Sequence, residues 1–263
     1  MTKPYLLKGD VARPGPIDVP DGTTLRSIVE TLGGGMANGR AFKAMQIGGP
    51  SGGLVTAAQL DLPLDFKALK PFGVRRGDGV LTVLDEDRCI VDAVSRFMEK
   101  TQTEFCGKCV SCREGTRRMS ELMRALRACR LDREGLAVLT DHGEMVSVTG
   151  FCALGKGSFS TLRAALEAFP GEFEAHLAGS CPLCARETRP PIEPGDFAYE
   201  RKRIVIDAEK CRGCGRCARA CHAQAITGEL RSPFAIHADR CVKCYTCMEL
   251  CAFGAIREVE LDG

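Results

Sequence analysis

The feature that most restricts this chain is a duplicated cysteine run. CRGCGRCARAC occupies Cys211–Cys221 and returns as CVKCYTCMELC over Cys241–Cys251, a period of 30 residues. Each copy has the form C-x2-C-x2-C-x3-C. Apolar segments precede them (Ile204–Ile206, Phe234–Ile236), and Ala225-Ile226 and Ala255-Ile256 follow them. The pattern predicts a half-domain present twice, with pseudo-twofold symmetry. Its spacing is the ligand run of cubane iron–sulfur clusters. Three thiolates at a step of three wrap three iron corners of one cube, while the fourth, on the next turn, points to the other cube. One cluster is therefore expected on Cys211, Cys214, Cys217 and Cys251. The other is expected on Cys241, Cys244, Cys247 and Cys221. The competing assignment, a pair of zinc ribbons, needs no third cysteine at that step.

Composition fits metal ligation better than disulfides. The 263 residues include 16 cysteines, yet the first residues, from Met1 to Asp10, contain no apolar signal-peptide core. No stretch approaches the roughly 20 apolar residues of a membrane span. A cytoplasmic chain with no membrane span is expected, where thiols stay reduced. With 44% hydrophobic residues it can build a core. A formal net charge of +2 supplies no excess to neutralise phosphates, so no nucleic-acid partner is expected.

The chain divides by composition. Residues 1–78 lack cysteine and are rich in glycine. Short strands near Tyr5–Leu7, Ile17–Val19 and Ala44–Ile47 flank a helix carrying Leu25, Ile28, Val29 and Leu32, with N-cap residues at Asp21–Thr24. Residues 79–178 read as a small helical bundle, with helices over 92–102, 114–130, 136–146 and 158–169. Met119, Leu122, Met123, Leu126 and Cys129 share one helix face. Cys129 on that face reads as a core thiol. Residues 179–198 read as a proline-interrupted linker, and 199–263 hold the cysteine repeat. The overall expectation is an α+β multidomain chain.

Two further cysteine sets lie outside the repeat. Cys106, Cys109 and Cys112 again step by three, just ahead of a helix whose free amides favour thiolates, and Cys152 in GFCALGKG is the natural fourth ligand. A four-cysteine zinc site is the alternative there. Cys181-Pro-Leu-Cys184, with His176 five residues ahead, reads as most of a zinc site. Cys89, next to the polar stretch Asp85–Arg88, is the best fourth ligand; the alternative is that Cys89, Cys129, Cys181 and Cys184 are two surface thiols and two buried ones. His222, beside the repeat, reads as a solvated surface histidine. Arg113, Arg117, Arg118, Arg124, Arg127 and Arg130 read as a solvated face paired with Glu114 and Glu121.

The repeat resembles bacterial-type ferredoxins with two 4Fe-4S clusters, except that His222 and Ala252 stand where proline usually follows the fourth cysteine. CGKCVSCREGTRRM, followed by CALGKG, is similar to the cluster-binding part of the NADH-binding flavoprotein subunit of complex I. MQIGGPSGG and the glycine-rich stretch before it resemble that subunit's β-grasp domain of the soluble-ligand-binding type. A ferredoxin tail after this part resembles the β subunits of electron-bifurcating hydrogenases, a branch whose likeness also implies zinc near the hinge of the tail. The resemblance implies a β-grasp domain, a helical bundle with one 4Fe-4S cluster, and a ferredoxin domain with two. It also implies that flavin and nicotinamide bind in a domain upstream of the β-grasp unit. Gly33–Gly35 and Gly48–Gly53 do not form G-x-G-x-x-G between a strand and a helix. No flavin, nicotinamide or catalytic site is visible.

The expected cofactors are three 4Fe-4S clusters and one candidate zinc ion, with no flavin in this chain. Twelve thiolates and three oxidised cores of about +2 each would bring the holoprotein to about −4. The expected role is an electron-transfer subunit of a multi-subunit NAD(P)-linked or electron-bifurcating oxidoreductase. Its partners would be a flavin- and NAD(P)-binding subunit, other iron–sulfur or catalytic subunits, and ferredoxin. The alternative is a stand-alone carrier resembling a polyferredoxin.

Overall fold

The structure is a computed structural model and describes residues 2–49, 52–74, 79–192 and 202–260. The glycine turn's Pro50 and Ser51, the boundary near residue 78 and the linker's residues 193–198 lie outside the described residues. The chain forms two compact units. One comprises Met1–Gly150 and Gly155–Phe197, the other Phe151–Leu154 and Ala198–Gly263.

The first unit begins with a five-stranded sheet made of β1 (Thr2–Gly9), β2 (Gly15–Pro20), β3 (Phe42–Ile47), β4 (Gly53–Thr56) and β5 (Val80–Asp85). The spatial order is β2-β1-β5-β3-β4, and β1 with β5 is its one parallel pair among the described residues. β5, VLTVLD, is buried along its whole length, so its residues show no in–out alternation. At Gly9, φ is +89° and a Cβ would lie 2.0 Å from the Val83 carbonyl oxygen, so only glycine fits between the strands. The predicted helix at residue 25 is a single α turn, α1 (Leu25–Ser27), capped by Thr24 and continuing as a π turn over Ile28–Leu32. A short helix, α2 (Phe66–Leu69), follows β4.

Beyond the sheet stand α3 (Ile90–Glu104), α4 (Val110–Arg127), α5 (Arg133–Thr149), α6 (Ala153–Gly157), α7 (Ser160–Ala168), α8 (Pro170–Leu177) and α9 (Pro182–Arg186). Val94, Phe97, Met119, Met123, Leu139, Phe159, Leu162 and Phe173 make the core between them. α4 ends before the periodicity suggests. Ala128 caps it, and Cys129 follows with φ 54° in the left-handed region. Cys129 is thus half-buried past the helix end and not part of the apolar face. Half of the basic set is paired as read: Arg113 and Arg117 with Glu114, Arg117 and Arg118 with Glu121. Arg127 instead reaches Asp92 on α3.

A charged network joins sheet and helices. The fully buried Asp85 accepts from Arg189, and Asp10 from Arg88. Glu187 bridges the two arginines. Its bonds to Arg189 hold the Glu187 carboxyl down to about 2, although partial burial opposes this.

The second unit is small. β6 (Lys202–Ile206) pairs antiparallel with β9 (Ile256–Glu260), and β7 (Ile226–Thr227) with β8 (Ala235–Ile236). Between them lie α10 (Arg216–Ala220) and α11 (Thr246–Leu250). Its core is built on Ile204, Ile226, Phe234, Tyr245 and Ile256. So few apolar side chains leave a domain of this size dependent on covalent or metal staples. Among the described residues no helix is long and apolar enough to cross a membrane.

Candidate metal and cluster sites

The two cysteine runs of the second unit follow the same path. A loop carries the first two cysteines, a five-residue helix holds the third, and the fourth cysteine stands at that helix's C-cap in extended conformation. One turn of helix aims the fourth side chain away from its own loop. Cys211, Cys214, Cys217 and Cys251 line one cavity with Ile206, Phe234 and Ile256. Cys221, Cys241, Cys244 and Cys247 line another with Ile204, Ile226 and Tyr245. Each leaves about 350 Å³ of space free of protein atoms, part of it open to solvent.

The crossing cysteines are also matched in hydrogen bonding. The Ala225 amide donates to Cys221 Sγ at 3.3 Å, and the Ala255 amide to Cys251 Sγ at 3.4 Å. Such bonds favour the thiolate, the form that ligates iron. Burial acts the other way. It pushes the Cys217 and Cys241 thiols up, and with help from neighbouring thiols raises Cys247 to about 12. Thiolates in these cavities therefore call for positive charge inside, which a metal cluster would supply.

In the first unit, Cys109 is the N-cap of α4 and Cys112 stands in its first turn. Gly107, with φ 64°, turns the loop, and its carbonyl accepts from Arg113 at 2.9 Å. Burial, then the Cys109 and Cys106 thiols, push Cys112 up to about 12. Gly155 packs on this site: a Cβ there would stand 3.5 Å from Cys112 Sγ. Cys152 belongs to the short segment grouped with the second unit. There its sulfur lies within 4.8 Å of ligand atoms of His222 and Cys244. Its hydrogen bond lowers the Cys244 thiol. Cys244 thus lines the second cavity and also meets Cys152. His222 is half-buried against these thiols, which corrects its reading as a solvated surface residue.

The remaining set converges from three places in the first unit. Cys89 is the N-cap of α3, His176 sits on α8, and Cys181 is the N-cap of α9, with Cys184 inside that helix. Their ligand atoms all lie within 4.8 Å of one another. His176 Nε2 is 3.2 Å from Cys89 Sγ and 3.8 Å from Cys184 Sγ, and the Cys89 and Cys181 sulfurs are 3.7 Å apart. His176 is fully buried, with Nδ1 3.1 Å from the Leu126 carbonyl oxygen. That bond requires the proton on Nδ1 and leaves Nε2 free to ligate. Cys129 lies on the same side, 3.4 Å from Nδ1, which sequence spacing did not suggest. Three sulfurs and one imidazole nitrogen form a donor set that suits tetrahedral zinc.

Family profiles cover three stretches of the chain. An "NADH-ubiquinone oxidoreductase-F iron-sulfur binding region" matches residues 92–176, a "4Fe-4S dicluster domain" 210–255, and an "SLBB domain" 7–55. The HndC subunit of the NADP-reducing hydrogenase of Solidesulfovibrio fructosivorans is 34% identical over 232 residues, 88% of this chain and 45% of HndC. The F subunit of the NADH-quinone oxidoreductase of Streptomyces coelicolor is 38% identical over 180 residues, 68% of this chain and 40% of that protein. Among solved structures, an NAD+-reducing NiFe-hydrogenase in the H2-reduced state matches with TM-score 0.58 and 29% identity, covering 67% of this chain and 29% of that one. The chain spans less than half the length of these relatives. It carries regions that bind 4Fe-4S clusters in a mixed α/β fold. With three family profiles in register and relatives matching most of its length, the chain belongs to the family of complex I F-subunit-like proteins.

Proposed function

We propose that this chain is the iron–sulfur relay of a hetero-oligomeric NAD(P)-linked oxidoreductase of the cytoplasm, carrying electrons between a flavin on a partner and ferredoxin or another redox subunit. The observation that carries the reading is the pair of cavities, each lined by four cysteines with the fourth taken from the other run. Cys211, Cys214, Cys217 and Cys251 would hold one 4Fe-4S cluster, and Cys241, Cys244, Cys247 and Cys221 a second. Cys106, Cys109, Cys112 and Cys152 would hold a third at the start of α4.

Bound clusters exchange single electrons, and the chain's residues hold and insulate them. Ile206, Phe234 and Ile256 give the first cavity an apolar lining, while the Ala225 and Ala255 amides favour negative charge on the sulfurs of Cys221 and Cys251. Cys89, His176, Cys181 and Cys184 would hold a zinc ion without redox activity, closing α3, α8 and α9 together. The β-grasp assignment of the five-stranded sheet is supported by the SLBB match over residues 7–55.

Metal analysis of the full chain purified under anoxic conditions tests this reading. About 12 iron and one zinc per chain are expected. Iron near eight would remove the third cluster, and absence of zinc would remove the zinc centre. Co-purification with a flavoprotein is expected; a monomer turned over by many unrelated enzymes would overturn the complex in favour of a free carrier.

A further inference from the structure

The zinc centre takes Cys89 from a position far in sequence from its other donors, and the structure holds that residue from both sides. Lys43, on β3, has a side chain only 8% exposed. Its ammonium donates to the Arg88 carbonyl oxygen at 2.5 Å, and pairs with Glu172, a residue of α8. It also stands 5.5 Å from the centre of the Phe169 ring. The other carboxylate oxygen of Glu172 accepts from the Ile90 amide at 2.8 Å. One ion pair thus holds the carbonyl before Cys89 and the amide after it. Cys89 Sγ itself lies 3.5 Å from the Asp92 amide, within reach of a weak bond. The peptide on each side of the ligand is therefore held by groups outside the donor set.

Glu172 has a second connection to the centre. It precedes His176 by four residues on α8, one turn, so the two side chains leave the helix on one face. The contact that caps the start of α3 therefore also fixes the helix that brings His176 Nε2 to Cys89 Sγ. A buried ion pair is not the cheapest way to join a strand to a helix, since a well-packed apolar contact is often as stable. What the Lys43–Glu172 pair does, and an apolar contact would not, is hydrogen-bond both backbone groups flanking a ligand.

We infer that Lys43 and Glu172 are positioning residues of the Cys89–His176–Cys181–Cys184 centre, setting the backbone of Cys89 so that it meets His176 in ligating geometry. The inference rests on the zinc reading above. Losing an outer partner of a metal ligand typically weakens metal binding about 10–100-fold. Glu172→Gln keeps the shape and an acceptor for the Ile90 amide but loses the ion pair; Lys43→Met removes the bond to Arg88.

The experiment uses the full, cluster-loaded chain. Zinc retention is measured against a graded chelator by elemental analysis, with X-ray absorption at the zinc edge for the donor set. Wild type should hold one zinc in a three-sulfur, one-nitrogen shell. Both variants should release it at about 10–100-fold lower chelator strength, measured under conditions where circular dichroism shows their zinc-stripped forms still folded. A wild type with no such zinc shell would overturn the zinc reading itself. A normal wild type with variants within twofold of it would overturn the positioning role alone. Amide exchange in wild type is the second readout and needs no variant. Exchange of the Ile90 amide should slow at least about tenfold on zinc loading, because metal and clamp stabilise one another. Equal exchange in loaded and stripped protein would also overturn the role.

Discussion

The two cysteine loops of the second unit follow one backbone path with different residues. In the first, Gly213 and Gly215 take φ of 63° and 70°. At the matching positions of the second, Lys243 and Tyr245 take 46° and 59°. A left-handed conformation costs an L-residue roughly 1–2 kcal/mol. That the second loop accepts it twice shows that the turn follows from aiming three sulfurs inward, and not from glycine. The surroundings differ too. At Gly213 a Cβ would lie 2.5 Å from the Ser232 amide nitrogen, so backbone crowding forbids a side chain. Tyr245 is instead buried to 5% exposure, with its hydroxyl donating to Glu258 at 2.8 Å. The strain of the second loop is offset by ring burial and one hydrogen bond.

The contrast can be broken most severely at Gly213. Gly213→Ala meets fixed backbone and an unfavourable φ, and should destabilise the unit by about 3 kcal/mol. Iron analysis should find about four iron lost, those of a single cubane; full iron content would show that the loop can move. Tyr245→Gly relieves strain but forfeits the buried ring and its bond, so a net loss of about 2 kcal/mol is expected. Faster loss of visible cluster absorbance under anoxic guanidinium would register it. A gain in stability would mean that strain, not ring packing, dominates the second loop.

Tyr245→Phe isolates the hydroxyl. Its removal leaves the Glu258 carboxylate short of one donor and should lower stability by about 1 kcal/mol. An unchanged denaturation midpoint would assign the whole offset to ring burial. The smallest effect is expected from Lys243→Gly, stabilising by about 0.5 kcal/mol once the added freedom of the unfolded chain is subtracted. A destabilised variant would show that the lysine side chain contributes something its backbone strain conceals.

Legibility followed sequence distance. Amphipathic periodicity marked α3, α4 and α5 to within a few residues, because each helix buries a single stripe. It overran the end of α4, since Cys129 fits the helical period although the chain has already turned left-handed there. β5 escaped notice because a central strand buried on both faces has no alternation to display. The helix at residue 25 looked regular by spacing, but only one α turn forms before it widens into a π turn. For the proposed zinc donor set, His176, Cys181 and Cys184 were close enough in sequence to suggest one another. Cys89 could be picked only for its polar neighbours.

Local spacing by itself determined the cubane-type runs, their duplication and the crossed grouping of their cysteines, since three cysteines of each set fall within seven residues whose reach is limited by chain geometry. Which groups surround a ligand was decided by tertiary structure alone. Lys43, Glu172 and the Leu126 carbonyl come to Cys89 and His176 from separate strands and helices, through contacts 45 to 82 residues apart. Such contacts depend on how apolar faces pack, and no local period of the chain encodes them.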